Sequence, residues 1–141
     1  MRRLLLVLLM VLGCSTNPSV PFEAADLQIE VLQGGDEAPP TYLYTVLVSN
    51  VSGRVMVVNS ISIEPIGSGD VRFKNGRLTP LTTLEPAQQG EFRLFVDVES
   101  DSGFFDREGP ATLRVVVSYA IDGATKTRTD VIRVARPQNI R

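Results

Sequence analysis

The chain has no histidine, no tryptophan and one cysteine among its 141 residues. The missing histidine removes the commonest general base and the commonest metal ligand. The missing tryptophan removes the usual stacking platform for a glycan. A lone cysteine cannot form an internal disulfide. No Gly-x-Ser-x-Gly elbow occurs, and Gly67-Ser68-Gly69-Asp70 lacks both the lysine and the strand–loop–helix setting of a phosphate loop. Carboxylates fall on strand surfaces and in loops, and a sandwich of this size has little room for the cleft a glycosidase pair needs. The expectation is a protein that is not an enzyme, with no catalytic residues.

Strong positive charge is also missing. The formal net charge is -2, and removing Arg2 and Arg3 with a cleaved leader leaves 12 basic against 16 acidic side chains. Nucleic-acid binding rests on neutralising phosphates with Lys and Arg, so that class is excluded. Hydrophobic residues make up 43% and charged residues 21%, the balance of one ordinary globular domain.

The longest uninterrupted apolar run is Leu4 to Leu12, nine residues after Arg2 and Arg3. A spanning helix needs roughly 17–25 such residues, so the run has the dimensions of an export signal and not of a membrane span. It ends in Val11-Leu12-Gly13-Cys14, which resembles the lipobox of bacterial lipoproteins. That resemblance implies cleavage after residue 13, a diacylglycerol on the Cys14 sulfur and a further acyl chain, such as palmitate, on its nitrogen. More than one chain is needed for a lasting anchor, at about 0.8 kcal/mol for each buried methylene. Ser15 follows the cysteine in place of the Asp of inner-membrane retention, so the outer membrane is favoured in a cell with two membranes. The organisation expected is a signal peptide over 1–13, the lipidated Cys14 and a Pro-broken tether over 14–23, a folded domain over 24–136 and a tail over 137–141.

From residue 24 onward the apolar period is two, with turn signals between the runs. Leu27, Ile29 and Val31 give a half-buried first strand, and Tyr42, Tyr44, Val46 and Val48 a second, central one. Asn50-Val51-Ser52-Gly53 reads as a turn, and formally as a glycosylation acceptor. Met56, Val58, Ile61 and Ile63 are spaced two, three, two. The three-residue step flips the later side chains unless a bulge intervenes or the strand changes sheet, and a strand crossing the edge of a sandwich is the expectation. Val71 and Phe73 form a short strand, while Leu78, Leu81 and Leu84 fall in a loop folded under the sandwich. Phe92, Leu94, Val96 and Val98 alternate cleanly with polar residues. Ala111, Leu113, Val115, Val117 and Tyr119 follow, and Asp122-Gly123 signals a two-residue hairpin. The returning strand, Thr125 to Val134, carries Lys126, Arg128 and Asp130, which suit an edge. About seven antiparallel strands with regular turns predict an all-β, immunoglobulin-like β-sandwich.

Asn50-x-Ser52-Gly53, Met56-x-Val58-x-x-Ile61-x-Ile63, Phe73, Leu84-x-Pro86 and Phe92-x-Leu94-x-Val96 together resemble the Hydin-type and fibronectin type III-like immunoglobulin-like domains. Ala87 stands where that family often has Gly. The resemblance implies the fold and an adhesive or scaffolding role, not a particular partner.

One segment draws together the candidate sites. Asp97, Glu99, Asp101 and Glu108 fall at positions one, three, five and twelve of a calcium loop, whose hard oxygen ligands must converge on one cation. Ser102 occupies position six, where such a loop has Gly, and the favoured reading is a solvated acidic connection, with no cofactor. Phe104 and Phe105 either plug the end of the sandwich or offer an aromatic anchor to a partner. Phe95 and Val116, apolar on otherwise polar faces, are expected to widen that patch. The expected function is a membrane-anchored envelope lipoprotein that acts as a structural or protein-binding module. The alternative is a ligand-binding module for calcium or a glycan.

Overall fold

The computed structural model describes residues 24–34, 41–67, 72–99 and 111–134. Cys14, Asp101, Phe104, Phe105 and Glu108 lie outside the described residues, as do the expected signal peptide and tail. Among the described residues there are nine strands: β1 (Leu27–Gly34), β2 (Thr41–Asn50), β3 (Met56–Pro65), β4 (Arg72–Lys74), β5 (Arg77–Leu78), β6 (Thr82–Leu84), β7 (Gln89–Glu99), β8 (Ala111–Ile121) and β9 (Ala124–Val134). All the pairings are antiparallel. One sheet has the order β1-β2-β7-β4, and the other β5-β3-β8-β9 with β6 also on β3. Lettered in immunoglobulin fashion these are A-B-E-D against C-F-G, the constant-type sandwich, with β5 and β6 added at the C edge.

The period-two pattern explains the two layers. Tyr44, Val46 and Val48 of β2 and Phe92, Leu94, Val96 and Val98 of β7 point inward from the first sheet. They meet Met56, Val58, Ile61 and Ile63 of β3 and Leu113, Val115, Val117 and Tyr119 of β8. Tyr44 also stacks on Phe73 of β4, with ring centroids 5.6 Å apart. Gly90 stands at an inward position of β7 because a Cβ there would come within 2.8 Å of the Phe92 ring. Its missing side chain lets that ring lie back over the strand.

β3 remains in one sheet along its whole length, which corrects the expectation that it crosses the sandwich edge. Its register against β8 shifts between Val58 and Ser60. This bulge absorbs the three-residue step, so Val58 and Ile61 both face the core. The segment read as a loop under the sandwich is also ordered differently. Leu78 pairs with Ile61 and Leu84 with Met56, while Leu81 between them is exposed. The predicted hairpin is present: Asp122 and Gly123 both have positive φ, 51° and 78°, as a type I′ turn requires.

The sandwich has two distinguishable ends. At one, the start of β1, the β2–β3 turn, residues 85–88 and the β8–β9 hairpin come together. Backbone bonds lock them: Val51 N–H to Asp26 O (3.0 Å), Asn50 N–H to Gln88 O (2.9 Å) and Ala87 N–H to Asn50 O (3.0 Å). The ends of β1, β3, β7 and β9 mark the opposite end.

Candidate functional site

The described half of the acidic segment is internally matched. On β7, Asp97 accepts a 2.6 Å hydrogen bond from Thr41 Oγ1 across the β2 pairing. Glu99 is 2.5 Å from Lys74 of β4, and the hydrogen bond to Glu99 raises the Lys74 pKa. Lys74 lies directly across from Asp97 in the register. A cation would have to displace this ammonium. Among the described residues no group of three or more acidic, His or Cys side chains is placed to hold a metal.

Phe95 and Val116 do not join one patch. Core residues alternate with Phe95 on β7 and with Val116 on β8, so each side chain points away from the interior of its own sheet. The two therefore lie on opposite outer faces of the sandwich. Val116 is half-buried between Ser62 of β3 and Thr129 of β9. Phe95 is 52% exposed and directly opposite Leu43 of β2. Leu32 of β1, 48% exposed, pairs with Thr45 and is the diagonal neighbour of Leu43. The outer face of the first sheet thus carries a diagonal apolar row, Leu32–Leu43–Phe95, in the half away from the N-terminal entry. Diagonal neighbours on one sheet face are about 7–8 Å apart, within reach of such side chains. Sequence alone identified Phe95 as out of place. Its companions depend on strand register, which local pattern does not fix.

The charges of β9 that suit an edge, Lys126, Arg128 and Asp130, join Asp26 and Tyr119, which sequence did not connect to them, in a polar cluster between the free edges of β1 and β9. Asp26 Oδ2 accepts from Lys126 Nζ at 2.7 Å and from Tyr119 Oη at 3.2 Å. The Lys126 hydrogen bond lowers the Asp26 pKa against the opposing effect of burial, and the Tyr119 bond adds to it. Burial, followed by the Asp26 charge, raises that of Tyr119. Beside it, Arg128 and Asp130 pair at 2.6 Å. These β9 residues follow the inward face of the strand, so charge replaces apolar packing along this edge. Two adjoining shallow hollows of about 530 and 440 Å³ result, lined by Leu27, Ile29, Tyr119, Lys126, Arg128 and Asp130 among others. Inward charge at an edge discourages the pairing of another strand.

Asn50 lies at the expected β2–β3 turn, but sequence did not show how deeply it is buried. It is fully buried, which removes it as a glycosylation acceptor. Its Nδ2 donates to the carbonyls of Arg54 (2.6 Å), Leu84 (3.0 Å) and Glu85 (3.2 Å). Its Oδ1 accepts from Ser52 N–H (3.1 Å) and Ser52 Oγ (2.7 Å). The side chain closes the β2–β3 turn and ties it to the β6–β7 connection. Arg54 of the same turn reaches Asp122 of the β8–β9 hairpin at 2.7 Å.

These features define an immunoglobulin-like β-sandwich domain. Solved structures share its fold, three of them as follows. The GAE domain of yeast GGA1 superposes with a TM-score of 0.52 at 17% identity, over 82% of this chain and 96% of that one. The GAE domain of GGA2p from Saccharomyces cerevisiae gives 0.52 at 12% identity, over 82% and 94%. The structural genomics target SoR45 gives 0.51 at 13% identity, over 82% and 90%. At these identities the likeness extends to the fold alone. No family model matches the sequence and no curated protein is detectably similar to it.

Proposed function

We propose that the chain is a bacterial envelope lipoprotein, acylated at Cys14, that holds a non-enzymatic immunoglobulin-like module against a membrane and presents it to a protein partner. The outer membrane is the favoured site in a cell with two membranes. The observation that carries the reading is the Leu32–Leu43–Phe95 row. It is an apolar strip on the outer face of the first sheet, in the half of the domain away from residue 24. Aromatic side chains flanked by apolar neighbours are the usual centres of protein contacts. The Val11-Leu12-Gly13-Cys14 lipobox supports the anchoring. The close partners that Asp97 and Glu99 already have weigh against the calcium reading.

A photo-crosslinking residue at position 95 in living cells tests the contact, with position 116 on the opposite face as control. One defined envelope protein should be captured from 95 and not from 116, and Phe95→Glu should abolish its association with the native module. Equal capture from both faces would remove the sheet-face reading. Fractionation tests the anchor separately: Cys14→Ala should move the protein out of the membrane fraction, and continued partition with membrane would defeat the lipid assignment.

A further inference from the structure

We infer that the β2–β3 turn at the N-terminal end of the sandwich is a lipid-surface contact, with Val51 and Val55 resting on the bilayer to which Cys14 is fixed. The inference rests on the lipid-anchor reading above. Val51 and Val55 are each 47% exposed and flank the turn, so both present apolar surface at one end of the domain. Ordinarily two such valines need no explanation. Here their position supplies one. The Val51 amide is bonded to Asp26 O, so the turn sits where the chain enters the sandwich. Cys14 lies only ten residues before Ala24. Ten residues span at most about 35 Å when fully extended, and a flexible chain of that length has an end-to-end distance of roughly 17 Å. The nearest end of the domain is therefore held close to the headgroups.

The tether also changes what strength of contact is needed. An anchored domain meets the bilayer at an effective concentration in roughly the millimolar range, so a contact too weak to recruit free protein becomes populated. The turn is suited to this because it does not have to be ordered on contact. Asn50 and the Arg54–Asp122 pair already hold it. Among the described residues the charges at this end are largely matched, Arg54 with Asp122 and Lys126 with Asp26, and Glu85 is an additional acid. No strong repulsion opposes an anionic headgroup surface. The opposite end of the domain is left facing away from the bilayer.

The absence of tryptophan makes the test direct, since a single introduced Trp is the only indole in the chain. Val51→Trp is compared with Val131→Trp, a 63% exposed position near the far end of β9. The lipidated protein is reconstituted into phosphatidylcholine–phosphatidylglycerol vesicles carrying a phospholipid quencher with its spin label just below the headgroup. Trp at 51 should be quenched about two-fold or more relative to Trp at 131, and adding Val55→Asp should reduce that difference. A tryptophan that drives its own insertion would do so at both positions. Equal quenching at both, or none at either, overturns the inference. A second arm couples the unacylated Cys14 thiol to a maleimide-headgroup lipid in the same vesicles. It decides the docking question even if cells do not acylate Cys14, so failure of the anchor and failure of the contact are told apart.

Discussion

Asn50→Ala should be among the most damaging single changes in the domain, although Asn50 reads in sequence as an ordinary turn residue. The substitution removes three bonds donated by Nδ2 and two accepted by Oδ1. Of these, the bond to Leu84 O is the buried one. Each lost bond counts for about 0.5–1.5 kcal/mol, and a buried carbonyl left without a partner for about 1–3 kcal/mol. The partly exposed partners, Ser52 and Arg54 O, are rescued by solvent and contribute little. The expected loss is about 3 kcal/mol, or a drop in Tm on the order of 12 °C for a domain of this size. Urea denaturation and thermal melting followed by circular dichroism measure it. Asn50→Asp separates hydrogen bonding from volume, because it keeps the shape but turns an acceptor toward three carbonyls. At neutral pH it should be at least as unstable as Asn50→Ala. Its carboxyl pKa is raised by those carbonyls, so its stability should recover relative to wild type as pH falls and the protonated acid can donate. A loss below about 1 kcal/mol for Asn50→Ala, or an Asp variant as stable as wild type, would refute the keystone role.

Two further outcomes follow from the structure. Ala87 has φ of 65°, a left-handed conformation that favours glycine, and Ala87→Gly should raise stability by about 0.5–1 kcal/mol in the same melts; a lowered midpoint would count against backbone strain there. Asp26 has its pKa lowered from the usual 3.8 by Lys126 and Tyr119, so its contribution is present above that value and lost as pH falls through the lower folded value. The stability gap between wild type and Asp26→Asn should therefore close on acidification, from at most about 1 kcal/mol at neutral pH because the Lys126 side chain is 40% exposed; a pH-independent gap would refute the assignment.

The larger strands were legible because a half-buried strand writes its burial directly as alternation. β7 shows this best: every second residue from Phe92 to Val98 is buried. What local pattern could not supply was pairing between remote strands. β5 and β6 have two and three residues, too few to show a period, and they exist because Leu78 and Leu84 find partners on β3. The three-residue step in β3 was visible as a break. Local sequence does not choose between a bulge and a change of sheet, and pairing with β8 on both sides of Asn59 decides it. The same limit explains the site residues. Phe95 was recognisable from its neighbours in the chain, but Leu43 and Leu32 join it only through register. The turn at Asn50 was legible but its burial was not, because a buried, fully bonded asparagine and a solvated turn asparagine have the same local context. Ala87 is the converse case: a departure from a family's glycine, visible in sequence, coincides with a strained φ.

On the lipid-anchor reading proposed above, the register would also set how far from the membrane a partner finds the apolar row. Leu43 is seven residues from Asn50 along β2, and Phe95 lies opposite it. At about 3.4 Å per residue, the row is roughly 24 Å from the braced end of the sandwich. That distance is set by a rigid sheet. The approach of the braced end to the bilayer is set by the tether, up to about 35 Å. With Cys14 acylated and the β2–β3 turn in contact with lipid, a partner meets Phe95 at about 25 Å from the headgroups. With the turn released, the same surface ranges out to about 60 Å. Docking of Val51 and Val55 would therefore control which partners reach the row, favouring one that is itself embedded in or held close to the same membrane.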